Sequence, residues 1–169
     1  MKNRFSRMAV GSILTIAFIV CANVAAFAQH PVFSGDWKLD EAKSELGEFG
    51  GRMVAKTVKV EQKADAISFA KTSPGFNGGD PITTTLLLPF DGKQVESEGF
   101  GGSKRKSTAK WSDDGQSFIV NSTTLFERNG QSMEIKATET WSLKDGSLYV
   151  VTTSSSPRGE TTTKALYTK

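Results

Sequence analysis

The side chains that most often carry catalysis are scarce in this sequence. It contains one histidine, His30, and one cysteine, Cys21, and both lie near the N-terminus. A histidine-based triad, a histidine metal cluster or a thiolate metal site therefore has no set of residues from which to form. We expect no catalytic residue, no metal site and no cofactor.

One charged side chain occupies a position where it could act inside the fold. Arg105 alternates in phase with Trp111, so if Trp111 points inward, Arg105 does as well. A buried, unpaired Arg is costly and needs a carboxylate from the protein or from a ligand. Glu139, in phase with Trp141, is the candidate internal partner. We predict Arg105 and Trp111 as ligand-binding residues; the alternative is that residues 104–106 form a solvated strand surface.

The other charged groups carry weaker signals. Glu96 and Glu98 are expected to face solvent from one strand, and Asp113 and Asp114 belong to a turn, so neither pair is marked as an acid/base site. Lys56 shares the phase of the valines around it, but it lies near the end of its strand and can reach water.

The segments that must position these side chains are short and alternate between apolar and polar residues. Such spacing predicts strands, and no stretch predicts an amphipathic helix beyond one turn near Glu41 to Leu46. The fold class is therefore all-β, an antiparallel up-and-down β-barrel of 8–10 strands. The ten candidate segments are Gly35–Asp40, Met53–Val60, Ile67–Phe69, Ile82–Phe90, one near Val95, Ser103–Trp111, Phe118–Phe126, Met133–Leu143, Leu148–Val150 and Thr161–Thr168.

The connections fall into two sets, because every second loop of a meander lies at the same end. One set is short, and three of its members contain Asp-Gly, which supplies the positive φ of tight hairpins. The other set holds three glycine-rich loops that each carry one Phe, and we predict that these loops form a ligand portal. The alternative is that the Phe side chains plug the barrel end. The pairs are Asp91-Gly92, Asp114-Gly115 and Asp145-Gly146, and the predicted ligand-binding residues in the loops are Phe49, Phe76 and Phe100.

Residues 1–28 have the pattern of a secretory signal peptide. A basic start is followed by an apolar stretch and by Ala26-Phe27-Ala28, a small-x-small cleavage pattern. The alternatives are a retained membrane anchor and, through Cys21, a lipoprotein. We expect cleavage near Ala28, an extracytoplasmic location, and a mature domain of residues 29–169 without a membrane span, whose N-terminus near His30 is poorly ordered.

Removal of the leader changes the charge of the chain. The sequence has 21 Lys+Arg and 18 Asp+Glu, and the leader holds Lys2, Arg4 and Arg7 without any acid, so 21 − 3 leaves 18 against 18. A neutral mature chain gives no support for nucleic-acid binding. Its length suits one domain.

The first predicted strand carries a family resemblance. Gly35-Asp36-Trp37 before a ten-segment meander resembles the calycin group, which comprises lipocalins and fatty-acid-binding proteins. The longer stretch to Asp40, with Lys43-Ser44 and Gly47, is similar to a pattern in small exported bacterial proteins. The resemblance implies that Trp37 lies buried near the closed end, against the last strand around Tyr167. Lipocalins place a final-strand Arg across this Trp, and here Lys164 or Lys169 would take that place.

Together these features predict an exported β-barrel that binds a small apolar or amphipathic ligand non-covalently, with Arg105 fixing any acid head group. The alternative is a packed β-barrel interaction module of the cell envelope with no internal ligand. An enzyme is disfavoured by the residue inventory. A cavity inside the barrel favours carriage, and a packed interior favours interaction.

Overall fold

The part of the chain that the structure describes is built almost entirely from antiparallel strands. The computed structural model describes residues 30–47, 51, 54–75, 78–99, 102–128 and 131–169. In that part of the chain the ten strands match the ten predicted segments, and the predicted helical turn is a short 3-10 helix, Glu41–Lys43. The strands are β1 Gly35–Leu39, β2 Thr57–Gln62, β3 Ala66–Ser73, β4 Ile82–Pro89, β5 Val95–Glu98, β6 Lys104–Trp111, β7 Ser117–Arg128, β8 Gln131–Lys144, β9 Ser147–Ser156 and β10 Gly159–Thr168.

The strands form one sheet that curls into a nearly closed barrel. Their order is β4-β3-β2-β1-β10-β9-β8-β7-β6-β5, so chain neighbours pair with each other except β4 and β5, and the first strand pairs with the last. The closing pairs are Lys38 with Thr168 and Leu39 with Tyr167. β4 and β5 are the two edge strands of the sheet. The predicted antiparallel up-and-down barrel is confirmed, with ten strands.

The hairpins at one end have the backbone that their sequences predict. Between β8 and β9, Asp145 and Gly146 have φ angles of 50° and 75°. Two successive positive φ values give the turn whose twist suits a two-residue hairpin. Gly92 and Gly115, in the β4–β5 and β6–β7 connections at the same end, have φ angles of 75° and 70°. We call this the hairpin end, and we call the opposite end, where β3–β4, β5–β6 and β9–β10 connect, the mouth.

The hydrophobic core lies in the half of the barrel next to the hairpin end. Trp37 is 2% exposed and Trp141 is 1% exposed. On most strands the buried positions lie in the half nearest the hairpin end, because the alternating residues that face inward are large and apolar only there. The core side chains include Phe33, Val58, Val60, Ile67, Phe69, Leu88, Phe118, Val120, Leu148, Ala165 and Tyr167.

The segment before β1 closes the hairpin end. Phe33 is fully buried; its N–H donates to Gln62 Oε1 at 3.0 Å, and its carbonyl accepts from Trp37 Nε1 at 2.8 Å. His30 stacks on Trp111 with ring centroids 4.0 Å apart. The aromatic end of β6 thus offers a surface on which the segment near the expected mature N-terminus packs.

The predicted setting of Trp37 agrees with the structure. Trp37 is buried, and β1 pairs with β10 opposite Tyr167. The ammonium group of Lys169 lies 4.7 Å from the centroid of the Trp37 ring, so Lys169 is the cation across this Trp. Lys56 reaches outward to Glu41 at 2.8 Å. Within the described ranges, no helix has the length and apolar character needed to span a membrane.

Candidate ligand-binding site in the barrel

Three charged side chains meet inside the barrel. Lys71 Nζ lies 2.5 Å from Glu139 Oε2, and Arg105 Nη2 lies 3.3 Å from Glu139 Oε1. Arg105 also donates to Ser122 Oγ at 3.1 Å, and Trp141 Nε1 donates to Glu139 Oε2 at 3.0 Å. The Glu139 side chain is 9% exposed, whereas those of Lys71 and Arg105 are 20% and 24% exposed. The two cations therefore remain accessible, while the carboxylate is enclosed.

This network spans the barrel from wall to wall. Lys71 is on β3 and Glu139 is on β8, which are five places apart in the strand order in either direction. Directly beneath the ion pair, Phe69 of β3 contacts Trp141 of β8 with ring centroids 4.3 Å apart. Lys71 Nζ lies 4.9 Å from the centroid of Trp141, a cation–π distance. The network is thus a lid on the core and a floor for the half of the barrel above it.

The charges and hydrogen bonds of the network favour the ionised form of Glu139 over the protonated form. Burial by itself would raise the pKa of Glu139, but the nearby charges of Lys71 and Arg105, with hydrogen bonds from Lys71 and Trp141, lower the pKa to about 2. Burial lowers the pKa of Lys71, and the Arg105 charge adds to this effect, against the attraction of Glu139. Lys71 and Arg105 both pair with the single carboxylate of Glu139, so the network of these three side chains has a net charge of one positive unit.

Tyr167 of the core responds to the same carboxylate. Burial raises the pKa of its hydroxyl, and the charge of Glu139 raises it further. The hydroxyl donates to the carbonyl of Ala55 at 3.0 Å. Tyr167 is therefore a neutral, hydrogen-bonded core residue rather than a member of the charged network.

Above the floor, the inner wall has two kinds of surface. On β7 and β8, cross-strand pairs place Phe126 beside Met133 and Thr124 beside Ile135. Phe126, Met133 and Ile135 are partly exposed, so they form an apolar strip that is open to the mouth. The rest of the described wall is rich in hydroxyl groups, including Ser73, Thr84, Ser97, Thr152, Ser154, Ser156, Thr161 and Thr163. Ser107 and Ser122 are buried at the level of the floor.

The structure separates the predicted site residues. Arg105 points inward near the mouth end of β6, and it is paired with Glu139 as predicted. Trp111 ends β6 at the hairpin end, where it packs against Phe118 with ring centroids 5.0 Å apart. Trp111 thus belongs to the packed half, away from Arg105. Phe49, Phe76 and Phe100 lie outside the described residues.

Sequence reasoning missed Lys71, although a signal for it was present. Lys71 follows Ile67 and Phe69 at the same two-residue period, so the inward phase of β3 includes it. The run Ala70-Lys71-Thr72 gave no reason to expect a buried partner, because that partner is 68 residues away along the chain.

Comparisons with known proteins give a likeness in fold and little more. No protein-family model matches the chain, and no curated protein matches it. The solved structure of the zebrafish ileal bile acid-binding protein complexed with cholic acid is 18% identical, with a TM-score of 0.49, and the alignment covers 81% of this chain and 98% of that one. The fatty-acid-binding protein isolated from Manduca sexta is 17% identical, with a TM-score of 0.45 and coverage of 80% and 98%. The barrel assignment rests on this chain's own strand order and register.

Proposed function

We propose that the protein is an exported β-barrel binding protein that holds a small apolar or amphipathic ligand, non-covalently, in the mouth half of the barrel. The observation that carries the proposal is the division of the inner face at the Lys71–Glu139 pair. Below this pair the interior is filled by aromatic and aliphatic side chains, and above it most inward-facing side chains are partly or fully exposed. An inner wall of that kind is a concave surface that a ligand can cover.

The wall would bind the two parts of an amphipathic molecule differently. An acid head group would reach the floor, where Arg105 keeps guanidinium donors beyond the one that serves Ser122 and Glu139. The tail would lie along the strip of Phe126, Met133 and Ile135, where burial of apolar area drives binding. Phe49, Phe76 and Phe100 remain in the proposal as apolar residues of the portal, on the strength of their sequence positions.

A second function, an interaction module of the cell envelope without an internal ligand, is favoured by a different observation. Two grooves lined by described residues lie mainly on the outer face of the sheet. One includes Lys59 and Thr72, and the other includes Lys106, Asn121 and Lys136. Combined with the packed lower half, this outer surface is what a protein or polymer partner would meet. No reaction is assigned to the protein under either proposal.

Isothermal titration of the purified protein with dodecanoate distinguishes the two functions. Ile135→Glu puts a charge on the apolar strip and should weaken dodecanoate binding by about tenfold or more, equivalent to about 1.4 kcal/mol. Thr138→Glu, on the outer face of the same strand, is the matched control and should leave affinity within about twofold. If the unaltered protein binds no dodecanoate, and native mass spectrometry finds no ligand on protein from its own host, the interaction module is the better proposal.

Export is a separate part of the proposal. We propose that residues 1–28 are removed and that the mature protein lies outside the cytoplasm, because the leader has a basic start, an apolar stretch and a cleavage pattern at Ala28. N-terminal sequencing of the protein from its host should begin at Gln29. A sequence that begins at Met1 would support the retained anchor, and one that begins at Cys21 would support the lipoprotein.

A further inference from the structure

Buried polar atoms without partners lie along the inner side of β6. The hydroxyls of Ser103 and Ser107 and the Nε of Arg105 have no hydrogen-bond partner among the described residues. Ser103 is 7% exposed and Ser107 is 1% exposed. Buried polar atoms are nearly always paired, because an unpaired one loses its hydrogen bonds to water without replacement. Three such atoms at alternate positions of one segment therefore indicate a bound molecule with several polar groups, long enough to reach all three.

The three atoms face the interior of the barrel. Ser107 lies opposite Ser122, and Arg105 lies opposite Thr124, both of which face inward on β7. Gly99 confirms the direction for Ser103, since a Cβ placed on Gly99 would lie 2.5 Å from Ser103 Oγ and 3.4 Å from the methyl group of Thr124. The lack of a side chain at Gly99 leaves room for the Ser103 hydroxyl itself.

The charge of the site limits the charge of its ligand. Lys71 and Arg105 are two cations against the single carboxylate of Glu139. The enclosed carboxylate repels a second, multiply charged anion, while the unbalanced positive charge attracts one negative charge. Among the described residues, Tyr167 is a further titratable side chain influenced by Glu139, and it is neutral. The network therefore matches a group that carries one negative charge.

We propose that the head group held at this site is a singly charged, polyhydroxylated acid, such as a sugar acid on an apolar tail, rather than a bare carboxylate. This inference rests on the proposed function. A bare carboxylate satisfies Arg105 and leaves the two serine hydroxyls unpartnered. A sugar acid brings a carboxylate to Arg105 and donates or accepts hydrogen bonds at Ser103 and Ser107, on a wall that is rich in serine and threonine hydroxyls outside the apolar strip.

Three synthetic probes with the same tail separate the contributions of charge and hydroxyl groups. Dodecyl β-D-glucuronide carries both, dodecyl β-D-glucoside carries the hydroxyls without the charge, and dodecanoate carries the charge without the hydroxyls. Titrated below their micelle concentrations at neutral pH, the glucuronide should bind about tenfold tighter than either of the other two. Dodecyl phosphate at pH 8, with close to two negative charges, should bind more weakly than the glucuronide.

Variants on β6 assign each preference to its residues. The double variant Ser103→Ala with Ser107→Ala should remove most of the advantage of glucuronide over dodecanoate, with Thr108→Ala on the outer face as the control. Arg105→Gln should remove the advantage of glucuronide over glucoside, with Lys106→Gln as the control. Melting temperatures of all variants show whether each is folded. Gly99→Ala places a methyl group against the Ser103 hydroxyl, must displace it, and should therefore also reduce the advantage of glucuronide over dodecanoate.

The outcomes separate this inference from the proposed function. If none of the probes binds, the ligand-binding function itself is wrong. If dodecanoate, glucuronide and glucoside bind equally, or if the serine variants lose all three alike, the barrel still binds amphiphiles but the inference about the head group is overturned. Tight binding of glucoside with loss on Thr108→Ala would place the sugar on the outer face and would also overturn it.

Discussion

The two halves of this barrel are made from the same strands and differ in almost everything else. In the hairpin half, inward positions are mainly Trp, Phe, Tyr, Leu, Ile, Val and Ala, and Trp141 and Phe118 are 1% and 0% exposed. In the mouth half, the same phase continues mostly with Ser and Thr, with exposed or partly exposed apolar residues on β4, β7 and β8. One half can supply stability while the other remains open to a ligand.

The side chains at the boundary between the two halves explain why the division is sharp. Lys71 and Glu139 join opposite walls directly above the Phe69–Trp141 contact. The interior therefore changes from apolar to charged between one inward position and the next on each of these strands. Buried charges of this kind are costly unless paired. Here pairing is achieved by the packing beneath, which brings β3 and β8 close enough for Lys71 to reach Glu139.

The largest expected effect is on the packed half. Trp37→Ala should lower the free energy of unfolding by about 3–5 kcal/mol, because it removes a buried indole and leaves a cavity. Thr161→Ala, an inward position at the mouth that is exposed, should change it by about 0.5 kcal/mol or less. Urea denaturation of both variants measures the contrast. A loss below about 1 kcal/mol for Trp37→Ala would mean that Trp37 is not a core anchor.

The next effect is on the boundary. Glu139→Gln keeps the shape of the side chain but leaves Lys71 and Arg105 without their anion. Removing one partner of a fully buried pair costs about 3–5 kcal/mol, and we expect about 2–3 kcal/mol here because the two cations are partly exposed. Glu61→Gln breaks the surface pair with Lys59, whose side chains are both 59% exposed, and should cost about 0.5 kcal/mol or less. Equal losses would show that the network is no more than a surface ion pair.

The Glu139 network should also make the stability of the fold depend on pH. The pKa of Glu139 is about 2 in the folded protein, below its ordinary value of 4.5. Because the pKa is lower in the folded state, the Glu139 carboxylate stabilises the fold fully at pH values above its unfolded-state pKa. This contribution is lost as the pH falls from 4.5 toward 2. The difference in unfolding free energy between the unaltered protein and Glu139→Gln should therefore shrink between pH 5 and pH 2. A difference that stays constant through this range would show that the Glu139 carboxylate is not stabilised by its neighbours.

The packed half was the easier one to predict from sequence. Local alternation fixes which residues of a strand share a face, and Trp37, Ile67 and Phe69 follow it directly. Asp145-Gly146 predicted its hairpin because its backbone requirement is local as well. The pairing of Arg105 with Glu139 could be inferred because both share the phase of a tryptophan on their own strands.

What the sequence did not reveal depends on contacts between distant segments. Lys71 meets Glu139 across the barrel, and no local pattern gives the width of the interior at that level. The segment at His30 and Phe33 packs on Trp111, about 80 residues away, so its position depends on the folded barrel. The same contact shows why Trp111, a candidate ligand residue by phase alone, lies in the packed half.

The smallest expected effect on stability belongs to the mouth. The connections that contain Phe49, Phe76 and Phe100 leave the described strands at the end opposite Asp91-Gly92, Asp114-Gly115 and Asp145-Gly146. If this end admits a ligand, the triple Phe→Ser variant should bind apolar probes such as dodecanoate more weakly while its melting temperature changes by about 2 °C or less. The reason is that residues at a portal contribute to ligand contact and little to the core.

The control for this variant lies in the packed half. Phe33→Ser removes one buried Phe at the hairpin end and should lower the melting temperature strongly, since truncating a buried aromatic residue costs about 3–5 kcal/mol. If the three loop residues instead plug the barrel, the triple variant should lose stability as Phe33→Ser does, while access of the probe is unchanged or greater. That result would make the mouth a second packed end, and the contrast between the two halves would fail together with the portal.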